Sequence, residues 1–139
     1  MVAQGLGRTR TTSLARAMNR PEVLVFIDWY KPYFKAGGPV RSLVNMVEQL
    51  GDRVNFNIVT ADRDYTATTN EAGVATGQWI TLGPGEVVHY GTAQQRSLGA
   101  LQRIIRSKAW DVVYINGLYS LRSSVFPLLL LRGTSLRRI

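Results

Sequence analysis

Five consecutive apolar residues, Val23-Leu24-Val25-Phe26-Ile27, constrain the fold of this chain more than any other feature. The run lacks period-two alternation, so the strand it forms must be covered on both faces. Such a strand belongs inside a parallel sheet with helices on either side. Asp28 ends the run. A loop with Trp29, Tyr30, Pro32, Tyr33 and Phe34 follows and closes on Gly37-Gly38-Pro39. Val40, Leu43, Val44, Val47 and Leu50 then fall on one helical stripe. Pro39 suits the first turn of that helix, and Gly51 suits its stop.

The remainder repeats this theme. Val54 to Thr60 alternates before ending apolar, which predicts a strand less fully covered than the first. Residues 62–77 are polar and rich in Thr, Ala and Gly, and read as a long loop. Trp79 to Leu82 predicts a short strand, turned by Gly83-Pro84-Gly85 into a strand over Glu86 to Tyr90. Gln94 to Ser107 reads as a helix with Leu98, Leu101 and Ile105 inward and Arg96, Arg103 and Arg106 outward. Asp111 to Asn116 is a second strongly apolar strand, closed by Gly117. Ser123 or Ser124 is placed to cap a last helix containing Val125 to Leu131. This order predicts an α/β fold: a mostly parallel sheet with helices on both faces. Ligands of such sheets bind beyond the carboxyl ends of the strands. The loops after Asp28, Ala61, Tyr90 and Asn116 open there.

Charge narrows the function classes. The formal net charge is +8, yet residues 1–20 carry four arginines and no acid, and residues 132–139 carry three arginines and no acid. The body between them sets ten bases against nine acids. A nucleic-acid binder should show its charge on the folded face, so nucleic acid is not assigned as a partner. No apolar run approaches the roughly 18 residues of a membrane span. The absence of cysteine removes disulfides and thiolate metal sites. Residues 1–21 read as a disordered basic leader, residues 22–131 as the folded domain, and residues 132–139 as a basic tail. The chain stops where an open sheet normally continues with another strand, which predicts truncation of a larger protein.

Gly37 and Gly38 carry the sharpest chemistry. Glycines between a strand and a helix let the backbone approach a ligand, and the helix amides and dipole favour a negative group. Arg41 adds a positive charge in the first turn. No dinucleotide fingerprint is present: Gly5-Leu6-Gly7 follows no strand and has Arg10 where the third glycine belongs. No phosphate-cleaving P-loop motif is present either. Asp62 and Asp64 have the spacing of a hard-cation pair, but aspartates at such positions commonly satisfy loop amides, and no metal is assigned. His89 is the sole histidine and reads as structural. The aromatics before the glycines suit either stacking on a sugar or lipid, or packing on their own domain.

Val23 to Asp28, Gly37-Gly38-Pro39-Val40-Arg41-Ser42, Val59-Thr60-Ala61-Asp62-Arg63-Asp64, Trp79 and Asp111 to Gly117 together resemble the N-terminal domain of family 4 (group 1) glycosyltransferases. The resemblance covers about residues 22–131. It implies the N-terminal, Rossmann-like half of a GT-B fold. It further implies metal-independent transfer of a sugar from a nucleotide-sugar, with retention of configuration, to a glycan or glycolipid acceptor. No cofactor is implied. Gly37 and Gly38 would lie near the donor phosphates, with Arg41, Arg63, Asp64 and Asn116 as the other candidate binding residues. Many members have a histidine near the transferred sugar where this chain has Asn116, which can still hydrogen-bond a hydroxyl. The family's donor-binding C-terminal domain is absent from this sequence, so catalytic residues are not assigned and the chain alone is expected to be inactive. The implied setting is polysaccharide biosynthesis in the cytoplasm, compatible with peripheral contact at the inner face of the membrane. A stand-alone, non-catalytic binding module on the same fold is the alternative.

Overall fold

The computed structural model describes residues 20–117 and 120–132, and the backbone of residues 137–138. The expectations for the leader, for Gly5-Leu6-Gly7 and for most of the basic tail lie outside the described residues. Strand β1 (Glu22–Ile27) is central in the sheet. Helix α1 (Gly38–Leu50) follows, then β2 (Asn55–Ala61), β3 (Trp79–Gly83), β4 (Glu86–Gly91), α2 (Leu98–Arg106) and β5 (Val112–Asn116). A wide turn over Leu121–Val125 leads into the short helix α3 (Phe126–Leu130), and β6 (Arg137–Arg138) pairs in parallel with Val112 and Val113. Strand order is β3-β4-β2-β1-β5-β6, with only β3 antiparallel to its neighbour. This is a mixed α/β fold around a mostly parallel sheet.

Alternation along β1 divides the core. Val23, Val25 and Ile27 join Phe56, Ile58, Val88 and Tyr90 beneath Val40, Leu43 and Val47 of α1. Leu24 and Phe26 face the other way, with Val59, Val113, Leu101 and Ile104 of α2, Trp110 and Leu131. Helices therefore cover both faces, as the unbroken apolar run requires. Each buried Val, Leu, Ile or Phe side chain contributes roughly 1.5–3 kcal/mol.

Several local expectations change. Strand β2 is as fully covered as β1, because the Asn57 side chain is buried and satisfied. Its Nδ2 donates to Glu22 Oε2 at 2.9 Å across the β1–β2 register. Burial raises the Glu22 pKa, but hydrogen bonds from Asn57, Asn55 and Lys108 outweigh it and hold the carboxyl below its usual range. Gly51 does not stop α1 through a left-handed backbone, since its φ is −63°. Its backbone instead packs on the β3–β4 turn, where a Cβ would collide with the Pro84 carbonyl. Helix α2 starts later than Gln94, because Thr92 and Gln95 close a separate turn and Ser97 Oγ caps the helix by accepting from Ala100 N. Ile104 is then buried and Leu98 exposed. Neither Ser123 nor Ser124 caps α3, which has no side-chain cap; Ser120 Oγ instead caps the wide turn before it, accepting from Ser123 N at 3.1 Å.

His89 in β4 is buried, stands edge-on to Trp79 at 5.3 Å, and has an Nδ1 without a hydrogen-bond partner. Burial pushes its pKa below the ordinary 6.5. As pH falls through about 6.5 the unfolded chain takes up a proton that the folded chain resists, so stability declines and levels off below the folded pKa. The urea midpoint of the wild type, read by tryptophan fluorescence, is expected to fall between about pH 7 and pH 5 more steeply than that of His89→Leu. Equal slopes would remove His89 as a cause.

Candidate functional site at the carboxyl edge of the sheet

Four parallel strands, β1, β2, β4 and β5, end on one edge. The chain steps from β1 to β2 and β4 on one side, and from β5 to β6 on the other. The direction of winding therefore reverses between β1 and β5, which marks the crevice where ligands of such sheets bind.

The glycine turn stands on this edge at the start of α1. Gly37 has φ +74°, a backbone that residues with a Cβ rarely adopt. Its carbonyl accepts Arg41 N at 3.2 Å, which opens the 13-residue helix. Gly38 has no such conformational demand, and a Cβ at either glycine would meet nothing within 4 Å. The amides of Gly38 and Val40 belong to the first turn, where N–H groups lack intrahelical partners, and Pro39 has no N–H. No side chain caps them, and no acid lies in the first turn. The helix end is thus open and positively polarised. Arg41 is exposed beside it.

The loop before the turn is fastened to its own domain. Tyr30 is fully buried and its hydroxyl donates to Glu86 Oε1 at 2.6 Å. Lys31 Nζ pairs with the same carboxylate at 2.8 Å. The Tyr33 hydroxyl donates to Asn70 Oδ1 at 2.6 Å, and the Tyr90 hydroxyl donates to Lys31 O. Burial, aided by Glu86 and Tyr33, pushes the Tyr90 pKa up to about 12, so it stays a neutral donor. Packing therefore accounts for Tyr30 and Tyr33. Phe34 is exposed, and Trp29 meets Tyr65 edge-on at 4.9 Å.

Asp62, Arg63 and Asp64 are engaged locally. Arg63 forks onto Asp62, with Nε–Oδ1 at 2.8 Å and Nη2–Oδ2 at 3.2 Å, and its Nη1 donates to Thr68 O at 2.6 Å. Asp64 is buried, and its Oδ1 accepts from Tyr65 N at 2.7 Å and Lys35 N at 3.2 Å. Lys35 lies two residues before Gly37, so Asp64 ties the β2–β3 loop to the approach of the glycine turn. Among the described residues no group of three or more His, Cys, Asp or Glu is placed to hold a metal ion. Asn116 ends β5 opposite Ile27, half-buried at the β1–β5 crevice.

No protein-family model, curated protein or solved structure matches this chain. The crevice also holds groups that sequence reasoning missed. Ser120 Oγ donates to Asp28 Oδ1, joining residues 92 positions apart. Arg96, read as an outward helical residue, lies instead against Gly91, with Nε donating to Gly91 O at 3.2 Å. The Ser120–Asp28 contact depends on the β1–β5 crossover, and the Arg96–Gly91 contact on a turn that Thr92 and Gln95 close before the helix begins.

Asp64→Ala leaves the Lys35 and Tyr65 amides without their acceptor. A loss of about 1–3 kcal/mol is expected in chemical denaturation. Faster amide exchange at Lys35 and Gly37 should accompany it. Unchanged exchange at both would show that the loop is held by other contacts.

Proposed function

We propose that this chain is the acceptor-side half of a sugar transferase, a Rossmann-like domain of the GT-B type. In this reading the Gly37-Gly38 turn receives the phosphates of a nucleotide-sugar, and the β1–β5 crevice beside Asn116 receives the acceptor. The observation that carries it is the open head of α1, where Gly37 turns the chain at φ +74° and no side chain caps the first-turn amides. Gly38 precedes Pro39, which by itself favours a residue without a Cβ in a helical turn. Beyond its chain neighbours nothing lies within 4 Å of its Cβ position, so a ligand has room to reach the Gly38 and Val40 amides. An uncapped helix end favours an anion. Arg41 adds charge at the same end. The resemblance over residues 22–131 supplies the substrate class.

In this reading the described domain is one wall of a cleft. Sugar transfer needs donor and acceptor enclosed together, so the 139-residue chain by itself is expected to turn over no nucleotide-sugar. Asp64 and Arg63 act as positioning residues, through the contacts that set the approach to the turn.

Titration of the chain with a nucleoside diphosphate, followed by amide NMR, tests this. Shifts are expected at Gly38, Val40 and the Arg41 side chain. Gly38→Val should weaken the affinity at least tenfold, about 1.4 kcal/mol, without unfolding the domain. Shifts confined to another surface, or undiminished affinity in Gly38→Val, would overturn the reading.

A further inference from the structure

The crevice carries two arginines that the donor-phosphate turn does not use. Arg96 comes from the end of the β4–α2 loop and Arg122 from the wide turn after β5. Arg96 Nε donates to Gly91 O at 3.2 Å, and Arg122 Nε donates to Ala93 O at 3.2 Å. Gly91 is glycine because a Cβ there would stand 2.8 Å from Arg96 Cγ. Both guanidiniums are thus built onto the same three-residue segment, 91–93, and each is anchored through Nε alone. Among the described residues, neither pairs with a carboxylate, and neither donates its terminal nitrogens to another group.

Such an arrangement is costly without a counter-charge. Arg96 is partly buried, and burial, with Arg122 and Arg63 nearby, pulls its pKa below the ordinary value against the attraction of Asp28 and Asp62. Those carboxylates do not neutralise it directly. Asp62 is forked onto Arg63, and Asp28 Oδ1 accepts from Ser120. The turn that carries Arg122 also holds a buried polar group without a partner. Ser124 is 3% exposed, and its Oγ has no hydrogen-bond partner. Ser124 Oγ and Asp28 Oδ2 border the empty Cβ position of Gly117, at 3.6 and 3.4 Å. The wide turn over Leu121–Val125 is what puts Ser124 inward while Arg122 reaches the 91–93 segment, and turns of this type recur at functional sites.

We infer that Arg96 and Arg122 form a second anion site that binds a phosphate monoester. Paired guanidiniums with free terminal N–H groups match the several oxygens of a phosphate. The inference rests on the sugar-transfer reading for its meaning: it makes the acceptor a phosphorylated one, held by its phosphate while a hydroxyl is presented toward the donor. A soluble sugar phosphate and a phosphate-bearing lipid share this chemistry.

The test uses the full chain with glycerol 3-phosphate, and in parallel with phosphatidylcholine vesicles with and without phosphatidic acid. Binding is measured by calorimetry and sedimentation, and the site by NMR of the arginine Nε–H groups. Either probe is expected to bind and to shift Arg96 and Arg122. Arg122→Gln, on an exposed-side turn, should weaken binding at least fivefold, and so should Arg96→Gln. Arg103→Gln, exposed on α2, should change nothing. Binding of the soluble ester alone identifies a soluble acceptor; binding of the phosphatidic acid vesicles alone identifies a lipid. The site is overturned if neither probe binds, if Arg122→Gln binds as the wild type does, or if Arg103→Gln weakens binding equally. Loss on Gly38→Val but not on Arg122→Gln would assign the phosphate to the glycine turn, leaving the sugar-transfer reading standing without this site. Should Arg96→Gln fail to fold, Arg122→Gln decides.

Discussion

The rest of the structure depends on β1 being buried on both faces and paired on both sides. Val23 to Ile27 run between β2 and β5 in parallel register, with α1 on one face and α2 on the other. Parallel pairing forces each connection to return across a face of the sheet. It also sends the loops after β1, β2, β4 and β5 out of one edge. The glycine turn, the Asp62–Asp64 loop, the Gly91–Ser97 turn, Asn116 with Gly117, and the Ser120–Ser124 segment therefore become neighbours of a single edge, although they are scattered through the sequence.

Polar contacts then refine what the apolar core sets up. At the amino end of the sheet, Glu22 accepts from Asn55 and Asn57 and pairs with Lys108, which lets a polar residue sit inside β2. At the carboxyl end, Asp28 and Ser120 join the two strands flanking the crevice. Lys31, Tyr30 and Glu86 pin the β1–α1 loop across the sheet. The loops around the candidate site are thus held by buried or half-buried hydrogen bonds, a form of preorganisation suited to ligand binding.

Elements whose signal is local were legible in the sequence. The run Val23–Ile27 and the stripe Val40, Leu43 and Val47 report their burial directly, because apolar spacing is a property of one segment, whereas β5 forms as its apolar run predicts but buries only Val113 fully. Gly37 was legible as well, since its turn and helix start lie within a few residues. Asn57 was misread as wet because its partner Glu22 lies 35 positions away, and alternation records polarity but not satisfaction. Arg96 was misread as outward because helical periodicity was extended through a turn that Thr92 and Gln95 close separately. Ser120 was passed over as a cap because the wide turn it opens follows neither the helical nor the strand period. The Asp62-Arg63-Asp64 segment was located correctly as a loop on the carboxyl edge, but its carboxylates answer to Arg63 and to backbone amides.

The central claim is that an open glycine turn at the head of α1 exists to receive phosphate. A crystal structure of the chain with a bound nucleoside diphosphate tests it most directly. The account predicts phosphate oxygens within hydrogen-bonding distance of the Gly38 and Val40 amides, with the Arg41 side chain turned toward them. A nucleotide bound elsewhere, with the turn left in contact with solvent alone, would contradict it.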